Sequence, residues 1–375
     1  MNKKILGIQA NFLNKDGGTN ETSVSYLEDG ILKSCIAEER ISRVKLDQSF
    51  PESAIKEVMK LEGVTANDID VIAVPFLHPT KNNYNYLKSA ILTYFDTGVF
   101  LRKKAVNFFK NTVYNFLKTP KTIKYTLEGK EFDLVLCDHH HCHAAGAYYA
   151  SPYDKALVIT LDGGGDGLDG SVYCGNGTKL TNLFEIPHFQ SPGTMYSAVT
   201  TDLGFKRHRH EGKITGLASY GNDDLERLGL QDLLKYNPKK KRFVSKKVAA
   251  HHKDLNAKSD FFYPLLEEFG REDLAGAAQK ILENEVLAFI QDAFKVAKKK
   301  GYDFDKVCLA GGVFANVKLN QRIHNLPEVD NIFVYPAMGD DGLSGGAAYI
   351  AYYEQAEVKD KKNGIISDIY KGGEF

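Results

Sequence analysis

The sequence Leu157-Val158-Ile159-Thr160-Leu161-Asp162-Gly163-Gly164-Gly165 places a run of strand-forming residues directly before an acidic, glycine-rich turn. A second strand-like segment, Ser171–Tyr173, follows this turn. Nearer the start of the chain, Ile5–Ile8 leads into a stretch rich in Gly, Asp and Asn at 14–20, and Ser23–Tyr26 comes next. The same strand–turn–strand unit therefore occurs twice, and such a repeat predicts two related lobes around a cleft.

Elsewhere helical and strand patterns alternate along the chain. Helical spacing is found in Pro51–Leu61 and, most strongly, in Asp273–Lys300, which begins at an acidic residue and ends in three lysines. Ile69–Val74 and Val307–Ala310 are short apolar runs typical of buried strands, and Val317–Ile323 opens a further helix. This alternation predicts an α/β fold whose sheets are covered by helices.

The overall composition argues against several classes of protein. The 375 residues include 48 Lys+Arg and 48 Asp+Glu, so no global field favours nucleic acid or anionic membranes. The five cysteines are scattered without a CxxC motif, which indicates a reducing compartment rather than a disulfide framework. No run approaches the ~20 apolar residues of a membrane span, and the N-terminus lacks the apolar core of a signal peptide. We expect a cytoplasmic protein with no nucleic-acid partner.

Two segments differ from the rest in local composition. Residues 78–130 contain ten Lys/Arg against two Asp/Glu, interleaved with many Tyr and Phe. They could form a basic amphipathic helical region that touches a membrane surface, a lipid-linked glycan or a polyanionic glycan. Alternatively, they form a helical cap on the first lobe with a solvated basic face, and this is the interpretation that we favour. Residues 238–258 are lysine-rich and polar, and we expect a mobile surface excursion there.

A metal site is predicted from the run Asp138-His139-His140-His141-Cys142-His143. His139 and His143 are four residues apart, so on a helix they lie on one face and can bind the same ion. Imidazole suits iron, zinc and similar metals, but two histidines alone make a weak site. Two acidic glycine turns offer the missing carboxylates, through Asp162 and through Asp340 in Gly339-Asp340-Asp341-Gly342.

Glycine turns also provide candidate phosphate-binding backbone. Gly163, Gly164 and Gly165 follow one strand, and Gly311 and Gly312 follow another in Ala310-Gly311-Gly312-Val313-Phe314-Ala315-Asn316. A strand, a glycine pair and then a helix is an arrangement whose amide groups can receive a nucleotide. The spacings GxGxxG and GxxxxGK[ST] are absent, so neither a dinucleotide-binding Rossmann site nor a P-loop is predicted.

The order of these blocks resembles the NodU/CmcH/TobZ family of O-carbamoyltransferases. The blocks that carry the resemblance are His139-His140-x-x-His143-Ala144-Ala145, Thr160-Leu161-Asp162-Gly163, Ser191–Tyr196 with Leu203-Gly204-Phe205, Glu211-Gly212-Lys213 with Gly216–Gly221, Ala310–Val313 and Gly339–Gly342. They occur in the family's order and span most of the chain. One departure concerns the first hairpin turn, which usually carries a His-Asp pair, whereas here Asn11-Phe12 precedes a longer loop.

The resemblance implies a fold and a domain arrangement. The fold would be the actin-like ATPase (ASKHA) fold, shared with the threonylcarbamoyl transferases of tRNA modification and with part of HypF. Residues 1–150 would form the first lobe, with the helical basic insertion at about 78–130, and residues 151–360 would form the second lobe. Residues 361–375 would be a tail that resembles the start of a further, YrdC-like domain in which the family makes carbamoyl-adenylate.

The resemblance also implies roles for individual residues. His139, His143 and Asp340 would be metal ligands, with Asp162 as a further ligand or a carboxylate beside the phosphate, and the metal would be iron. The groups expected to face carbamoyl-adenylate are Gly163, Gly164, Gly165, Gly311, Gly312, Asn316 and Glu211. Glu211 and Lys213 match a charged block near the reaction centre, or alternatively form an internal salt bridge. The candidate catalytic groups are His139, Asp162, His140 and Lys213.

The implied activity is transfer of a carbamoyl group from carbamoyl-adenylate, derived from carbamoyl phosphate and ATP, to a hydroxyl of a sugar or glycan. The acceptor hydroxyl needs a base, for which Asp162, His140 and His188 are candidates. The adenylate would come from a separate YrdC-like polypeptide. Two alternatives are a tRNA threonylcarbamoyl transferase and a non-catalytic subunit that scaffolds the adenylate-forming partner.

Overall fold

The computed structural model describes residues 3–12, 21–118 and 122–354, together with residues 358, 361, 366 and 372. The glycine-rich stretch predicted at 14–20 lies outside the described residues, as does most of the predicted tail at 361–375. The strands are β1 (Lys4–Gln9), β2 (Ser23–Glu28), β3 (Ile31–Ala37), β4 (Val71–Val74), β5 (Lys124–Leu127), β6 (Lys130–Asp133), β7 (Val135–Leu136), β8 (Lys155–Gly165), β9 (Leu168–Asn176), β10 (Lys179–Pro187), β11 (Lys235–Asn237), β12 (Arg242–Val244), β13 (Lys306–Ala310) and β14 (Asn331–Val334).

Helices separate and cover these strands. They are α1 (Glu39–Ser42), α2 (Glu52–Glu62), α3 (Pro79–Thr97), α4 (Arg102–Lys118), α5 (His139–Tyr149), α6 (Pro192–Asp202), α7 (Glu211–Leu217), α8 (Lys246–His251), α9 (Leu266–Lys299), α10 (Val317–His324) and α11 (Leu343–Tyr353). Helix α9 begins before the predicted start at Asp273. Gly270, with a non-helical φ of +79°, interrupts α9 between its first turn and the long segment that follows.

Two five-stranded sheets share one topology. The first has the order β3-β2-β1-β4-β7 and the second the order β10-β9-β8-β13-β14. In each sheet, three antiparallel strands form a meander. A fourth strand pairs in parallel with the first strand of the meander, and a fifth strand pairs in parallel with the fourth. The repeat predicted from the two strand–turn–strand units is therefore confirmed, because both units build equivalent positions in equivalent sheets.

Helices α5 and α11 join the two sheets. Although α5 precedes the second sheet in the chain, it packs against β8, β9 and β13, while α11 at the far end of the chain packs against β1, β2 and β4. The two helices also pack on each other, in a buried core that contains Ala144, Tyr148, Ala347 and Tyr349. A domain boundary at residue 150 would divide the two sheets between two units. It would, however, assign α5 to the unit with the first sheet and α11 to the unit with the second sheet, although each helix packs on the other sheet.

The close approach of α5 and α11 depends on Gly346. A Cβ atom at this position would lie 2.0 Å from the backbone oxygen of Cys142. We expect Gly346→Ala to force the helices apart and to lower the free energy of unfolding by about 1–3 kcal/mol, the usual range for overpacking. Chemical denaturation checks this. Gly216→Ala is the matched control, because no atom lies within 4 Å of a Cβ there, and equal stability of the two variants would contradict the prediction.

The two helices of the insertion, α3 and α4, pack on the second lobe, so the favoured prediction of a first-lobe cap is wrong for them, whereas the last residues of the insertion, in β5, pack in the core of the first lobe. Helix α3 lies against β9, β10 and α8. Asn85 Nδ2 donates to the backbone oxygen of Asp166 (3.0 Å), and Ser89 Oγ donates to that of Gly167 (2.8 Å). The physical reason is a shared apolar core, in which Ala90 and Leu101 of the insertion contact Phe189 and Ala249. The insertion therefore covers the turn between β8 and β9.

A buried ion pair also fastens the insertion to the second lobe. Asp96 is 1% exposed and accepts hydrogen bonds from Arg242 Nη2 (2.9 Å) and Lys240 Nζ (2.7 Å). Burial alone would raise the pKa of Asp96, but these two cations outweigh it and lower the pKa below its usual range.

We expect Asp96→Asn to lower the free energy of unfolding by about 3 kcal/mol at neutral pH, because it leaves Arg242 without its counter-charge. Since the pKa of Asp96 is lowered on folding, its contribution is present above the usual aspartate pKa of about 3.9 and is lost as the pH falls further. Denaturation curves at pH 7 and pH 3 measure both effects. Glu131→Gln in the exposed Lys124–Glu131 pair is the control, with an expected change of about 1 kcal/mol or less.

The lysine-rich stretch 238–258 is folded, contrary to the prediction of a surface excursion. It contributes β12 to the small hairpin with β11, and then α8. Phe243, Val248 and Ala249 are buried with their apolar neighbours. The prediction was wrong because three apolar residues suffice to anchor the segment, while Lys240 and Lys241 pair with carboxylates and Lys258 donates to backbone oxygens.

Candidate active site

The candidate metal-binding histidines lie at the start of α5. The Asp138 side chain caps this helix by accepting the backbone N–H of His141 (3.1 Å). Asp166 Oδ2, from the turn between β8 and β9, accepts the backbone N–H of His139 (2.9 Å). Carboxylates are favourable at a helix N-terminus, where unpaired N–H groups and the helix dipole attract negative charge. The two carboxylates therefore hold the first turn of α5 against the second sheet.

Four side chains from three segments meet at this point. His139, His143, Asp162 and Asp340 each offer one ligand atom, and all four atoms lie within 4.8 Å of one another. His143 Nε2 is 3.4 Å from Asp162 Oδ2 and 3.6 Å from Asp340 Oδ1, and His139 Nε2 is 3.6 Å from Asp340 Oδ1. These separations are long for hydrogen bonds. They match two ligands that share an ion, since atoms each about 2.1 Å from a metal lie roughly 3 to 3.5 Å apart.

The ring nitrogens of the histidine pair are buried without a hydrogen-bond partner among the described residues. This holds for Nε2 of His139 and for both nitrogens of His143. Leaving a buried polar atom unpaired costs about 1–3 kcal/mol, so a native structure rarely keeps several together. The donor set of two imidazoles and two carboxylates fits a divalent metal such as iron or zinc.

The site also binds protons unusually tightly in the absence of metal. Burial disfavours the charged form of His139, but Asp340 and Asp162 beside it outweigh burial and raise its pKa to about 9. The same two aspartates raise the pKa of His143 against the effect of burial. Burial likewise opposes the charged form of Asp162, but the two histidines hold its pKa well below the usual range. Protons and a metal therefore compete for the same nitrogens.

Two glycine turns adjoin the cluster because their strands are neighbours. Strands β8 and β13 pair in parallel, with Thr160 opposite Ala310, so their carboxyl ends meet. The backbone N–H of Gly163 lies 2.5 Å from Asp162 Oδ1, and a Cβ at Gly312 would lie 3.2 Å from the same oxygen. Gly311, with φ of +98°, donates its N–H to Met338 O (2.8 Å), which draws the Gly339–Gly342 turn to the same edge.

The glycines of the first turn differ in what they face. A Cβ at Gly164 would lie 2.3 Å from the His188 ring, and a Cβ at Gly165 would lie 2.3 Å from the His139 ring. Gly164 and Gly165 therefore make room for the rings of His188 and His139. No atom lies within 4 Å of a Cβ at Gly163, so this glycine has open space beside Asp162.

Two predicted site residues point away from the cluster. His140 is 0% exposed, and its ring nitrogens contact Thr160 Oγ1 (3.1 Å) and Leu168 O (3.2 Å). Burial and the neighbouring histidines lower its pKa to about 3, so the structure argues against His140 as a base. The Asn316 side chain caps α10 and bonds Gln279 Oε1 (2.8 Å) in a buried network. A direct contact between this side chain and the adenylate is therefore not supported.

The Glu211–Lys213 block does not form the internal salt bridge that was the alternative prediction. Glu211 Oε1 accepts hydrogen bonds from Ser197 Oγ (3.0 Å) and from the backbone N–H of His208 (2.6 Å). Lys213 is exposed, and its Nζ lies 5.3 Å from the Phe205 ring centroid. Glu211 thus holds the loop between α6 and α7 in place, and Lys213 is free to meet a ligand at the surface.

Further charged groups near the cluster were missed from the sequence. Glu21 lies against Gly339, and burial together with the charges of Asp341, Asp340 and Glu39 raises its pKa to about 7. Nothing in the local sequence marks Glu21. The loop Lys206-Arg207-His208-Arg209-His210 was also missed, although five consecutive basic residues are a visible signal. Arg209 Nη2 donates to Lys45 O (2.9 Å), which links this loop to the first lobe.

The paired sheets and the cluster in the cleft define a two-lobed protein of the actin-like ATPase fold, as predicted. The T. kodakarensis HypF structure has this fold, with a TM-score of 0.50 and 15% identity over 94% of this chain and 48% of that chain. The chain belongs to the carbamoyltransferase family, because the model described as "Carbamoyltransferase N-terminus" matches residues 4–349.

Relatives within the curated proteins include two nodulation proteins. NolNO of Sinorhizobium fredii is 25% identical over 92% of this chain and 48% of its own length. NolO of Bradyrhizobium diazoefficiens is 29% identical over 63% of this chain and 41% of its own length. An uncharacterized protein of Synechocystis is 27% identical over 99% of this chain and 61% of its own length. The chain thus spans between two fifths and three fifths of these relatives. Among the described residues, no helix combines the length and apolarity needed to cross a bilayer.

Proposed function

We propose that the chain transfers a carbamoyl group from carbamoyl-adenylate to a hydroxyl of a sugar or glycan. The observation that carries the proposal is the convergence of His139, His143, Asp162 and Asp340 beside two glycine turns in the cleft. Membership of the carbamoyltransferase family supports the group that is transferred. The adenylate itself, formed from carbamoyl phosphate and ATP, is part of the proposal.

The proposed metal is iron, held by the two imidazoles and two carboxylates of the cluster. Bound there, it would act as a Lewis acid on oxygens of the donor. The chain's own groups orient the donor. The space beside Gly163 and Gly312 adjoins Asp162, and it is suited to admit phosphate or carbamoyl oxygens close to the cluster. The cluster is mostly buried, with His143 1% exposed and Asp162 20% exposed, and this limits the access of water to the donor.

Among the three candidate bases, the geometry favours His188. Asp162 belongs to the proposed ligand set, and His140 is enclosed with both nitrogens engaged. His188 Nδ1 lies 2.5 Å from Oδ1 of the fully buried Asp169, and no described residue hydrogen-bonds its Nε2. A carboxylate at one ring nitrogen orients a histidine and stabilises its protonated form. His188 Nε2 would therefore accept the proton of the acceptor hydroxyl as the hydroxyl oxygen attacks the carbamoyl carbon.

The helical insertion is proposed as the surface that receives the acceptor. Large aromatic side chains stand exposed on α3 and α4, among them Phe95 (74%), Phe109 (59%) and Tyr114 (63%). Aromatic rings beside lysines suit a glycan carried on a lipid at an anionic membrane surface. The same insertion covers the turn that holds His139 and His188.

The test uses the purified, metal-loaded chain with carbamoyl-adenylate and a panel of sugar acceptors. We expect a product whose mass exceeds that of the acceptor by one carbamoyl group. Transfer of a threonylcarbamoyl group from threonylcarbamoyl-adenylate to an adenosine of tRNA, with release of AMP, would instead favour the threonylcarbamoyl transferase alternative. No transfer to any acceptor, but tight binding to an adenylate-forming partner, would favour the scaffolding alternative. Either of these results would overturn the proposal.

A further inference from the structure

Beneath the insertion, Lys104 and His252 lie beside the Phe189 and His188 rings, and the charge of Arg207 acts on His252. We define this basic cluster as Lys104 of α4, Arg207 of the loop between α6 and α7, and His252 just after α8. The His252 ring lies 5.0 Å from the His188 ring and 5.1 Å from the Phe189 ring, and Lys104 Nζ lies 5.7 Å from the centroid of Phe189.

Polar atoms of the basic cluster are buried without partners. His252 is 2% exposed, and neither of its ring nitrogens has a hydrogen bond within the described part of the chain. Arg207 Nη1 donates to Leu255 O (2.8 Å) and Nη2 contacts His208 Nε2 (2.8 Å), but its buried Nε has no partner there either. Across the same described ranges, no carboxylate forms an ion pair with Lys104 or Arg207. Buried donors without acceptors are costly, so their convergence points to a ligand that supplies acceptors.

The carboxylates nearby are engaged elsewhere. Asp169 is paired with His188, Asp202 accepts the backbone N–H of Ser259 (2.9 Å), and Glu211 holds the backbone of His208. Burial, followed by the charges of His188, Lys104, His251 and Arg207, keeps the pKa of His252 well below its usual range. Burial alone lowers the pKa of Lys104. The charges that act on His252 are therefore positive, no carboxylate of the described residues acts on Lys104, and Glu211 acts on Arg207.

We propose that the basic cluster binds a phosphate group of the acceptor. A phosphate offers several oxygens to Arg, Lys and His donors, and such charge-assisted hydrogen bonds are the strong ones. The position suits the acceptor because His188, the proposed base, borders the cluster directly. The inference rests on the proposed function, and it narrows the acceptor to a phosphorylated sugar or a glycan linked through phosphate.

The test measures binding directly and needs no turnover. The full chain is titrated calorimetrically in a phosphate-free buffer of fixed ionic strength, with a hexose 1-phosphate, inorganic phosphate and AMP as separate probes. We expect the hexose 1-phosphate to bind more tightly than inorganic phosphate and to remain bound when AMP is added. Lys104→Met should weaken hexose 1-phosphate binding by about tenfold or more, the effect of losing one charge-assisted hydrogen bond.

Lys103→Met is the matched control, because Lys103 is exposed on the same helix and lies outside the basic cluster. His252→Gln gives a second, independent variant, and thermal melting shows that each variant is folded. Equal affinity of the Lys103 and Lys104 variants would overturn the inference. So would displacement of the hexose 1-phosphate by AMP, or equal affinity for inorganic phosphate. Binding that passes these tests without any carbamoyl transfer would leave the anion site standing and overturn the proposed function.

Discussion

Replacement of His143 by alanine is expected to leave the chain without its metal and to reduce carbamoyl transfer by at least about 10³-fold. His143 is 1% exposed and contacts both aspartates of the cluster, so no other described side chain can take its place. Metal content per chain, measured by elemental analysis after loading with ferrous iron, gives a readout that is independent of activity. Alanine at His139 should have the same result.

The control for this experiment is His324→Ala, because His324 is exposed at the end of α10. Metal loading of the wild-type chain at neutral pH should also release protons, since Asp340 and Asp162 raise the pKa of His139 to about 9 against the effect of burial. The assignment of the site is wrong if the His143 and His139 variants both keep a full complement of metal.

Replacement of His188 by alanine is the second change with a large expected effect. We expect transfer to fall by about 10²- to 10⁴-fold, the usual contribution of a general base, while the metal content stays unchanged. The His188 ring fills the space above Gly164, so the alanine variant leaves a cavity shaped for an imidazole. Added imidazole should therefore restore part of the activity, and acceptor-dependent rates with increasing imidazole measure this rescue.

The variant Asp169→Asn tests the orientation of the His188 ring separately from its capacity to accept a proton. It removes the carboxylate that lies 2.5 Å from His188 Nδ1 and should lower the rate, but imidazole should not rescue it because the ring still occupies its place. A His188 variant that transfers at the wild-type rate would exclude this residue as the base. Loss of metal from the variant would instead show that His188 supports the cluster structurally.

His139 and His188, the two histidines of these predictions, both lie against the glycines at the end of β8. His139 packs on Gly165 and His188 packs on Gly164, so the two rings lie against adjacent residues of the chain. The insertion closes over the turn that follows through Ser89 and Asn85. Replacement of either glycine by a larger residue would displace one of the rings.

Much of the architecture could be predicted because it depends on local pattern. The paired strand–turn–strand units were visible as apolar runs that end in glycine-rich turns, and they became two sheets of the same order. The four-residue spacing of His139 and His143 placed both on one helix face. The acidic residues near the end of β8 and just before α11 were also visible, since Asp162 and Asp340 adjoin glycines.

Other assignments could not be made from local pattern. His140 is adjacent to His139 in the sequence, but the 100° step of a helix turns it into the core, where Thr160 engages it. Asn316 resembles a ligand residue after a glycine turn, yet its side chain serves as a helix cap. The side on which the insertion packs depends on contacts with Phe189 and Ala249, far along the chain.

By itself, the sequence determined the α/β class, the internal repeat and the types of side chain available for a metal site, because periodicity and turn chemistry act over a few residues. Only the tertiary structure decided which of those side chains meet. The crossing of α5 and α11, made possible by Gly346, brings residues near 140 and 340 together, and the pairing of β8 with β13 adds Asp162. The basic cluster beside His188 likewise exists only because the insertion folds back across the second lobe, since its members are far apart in the chain and share no local pattern.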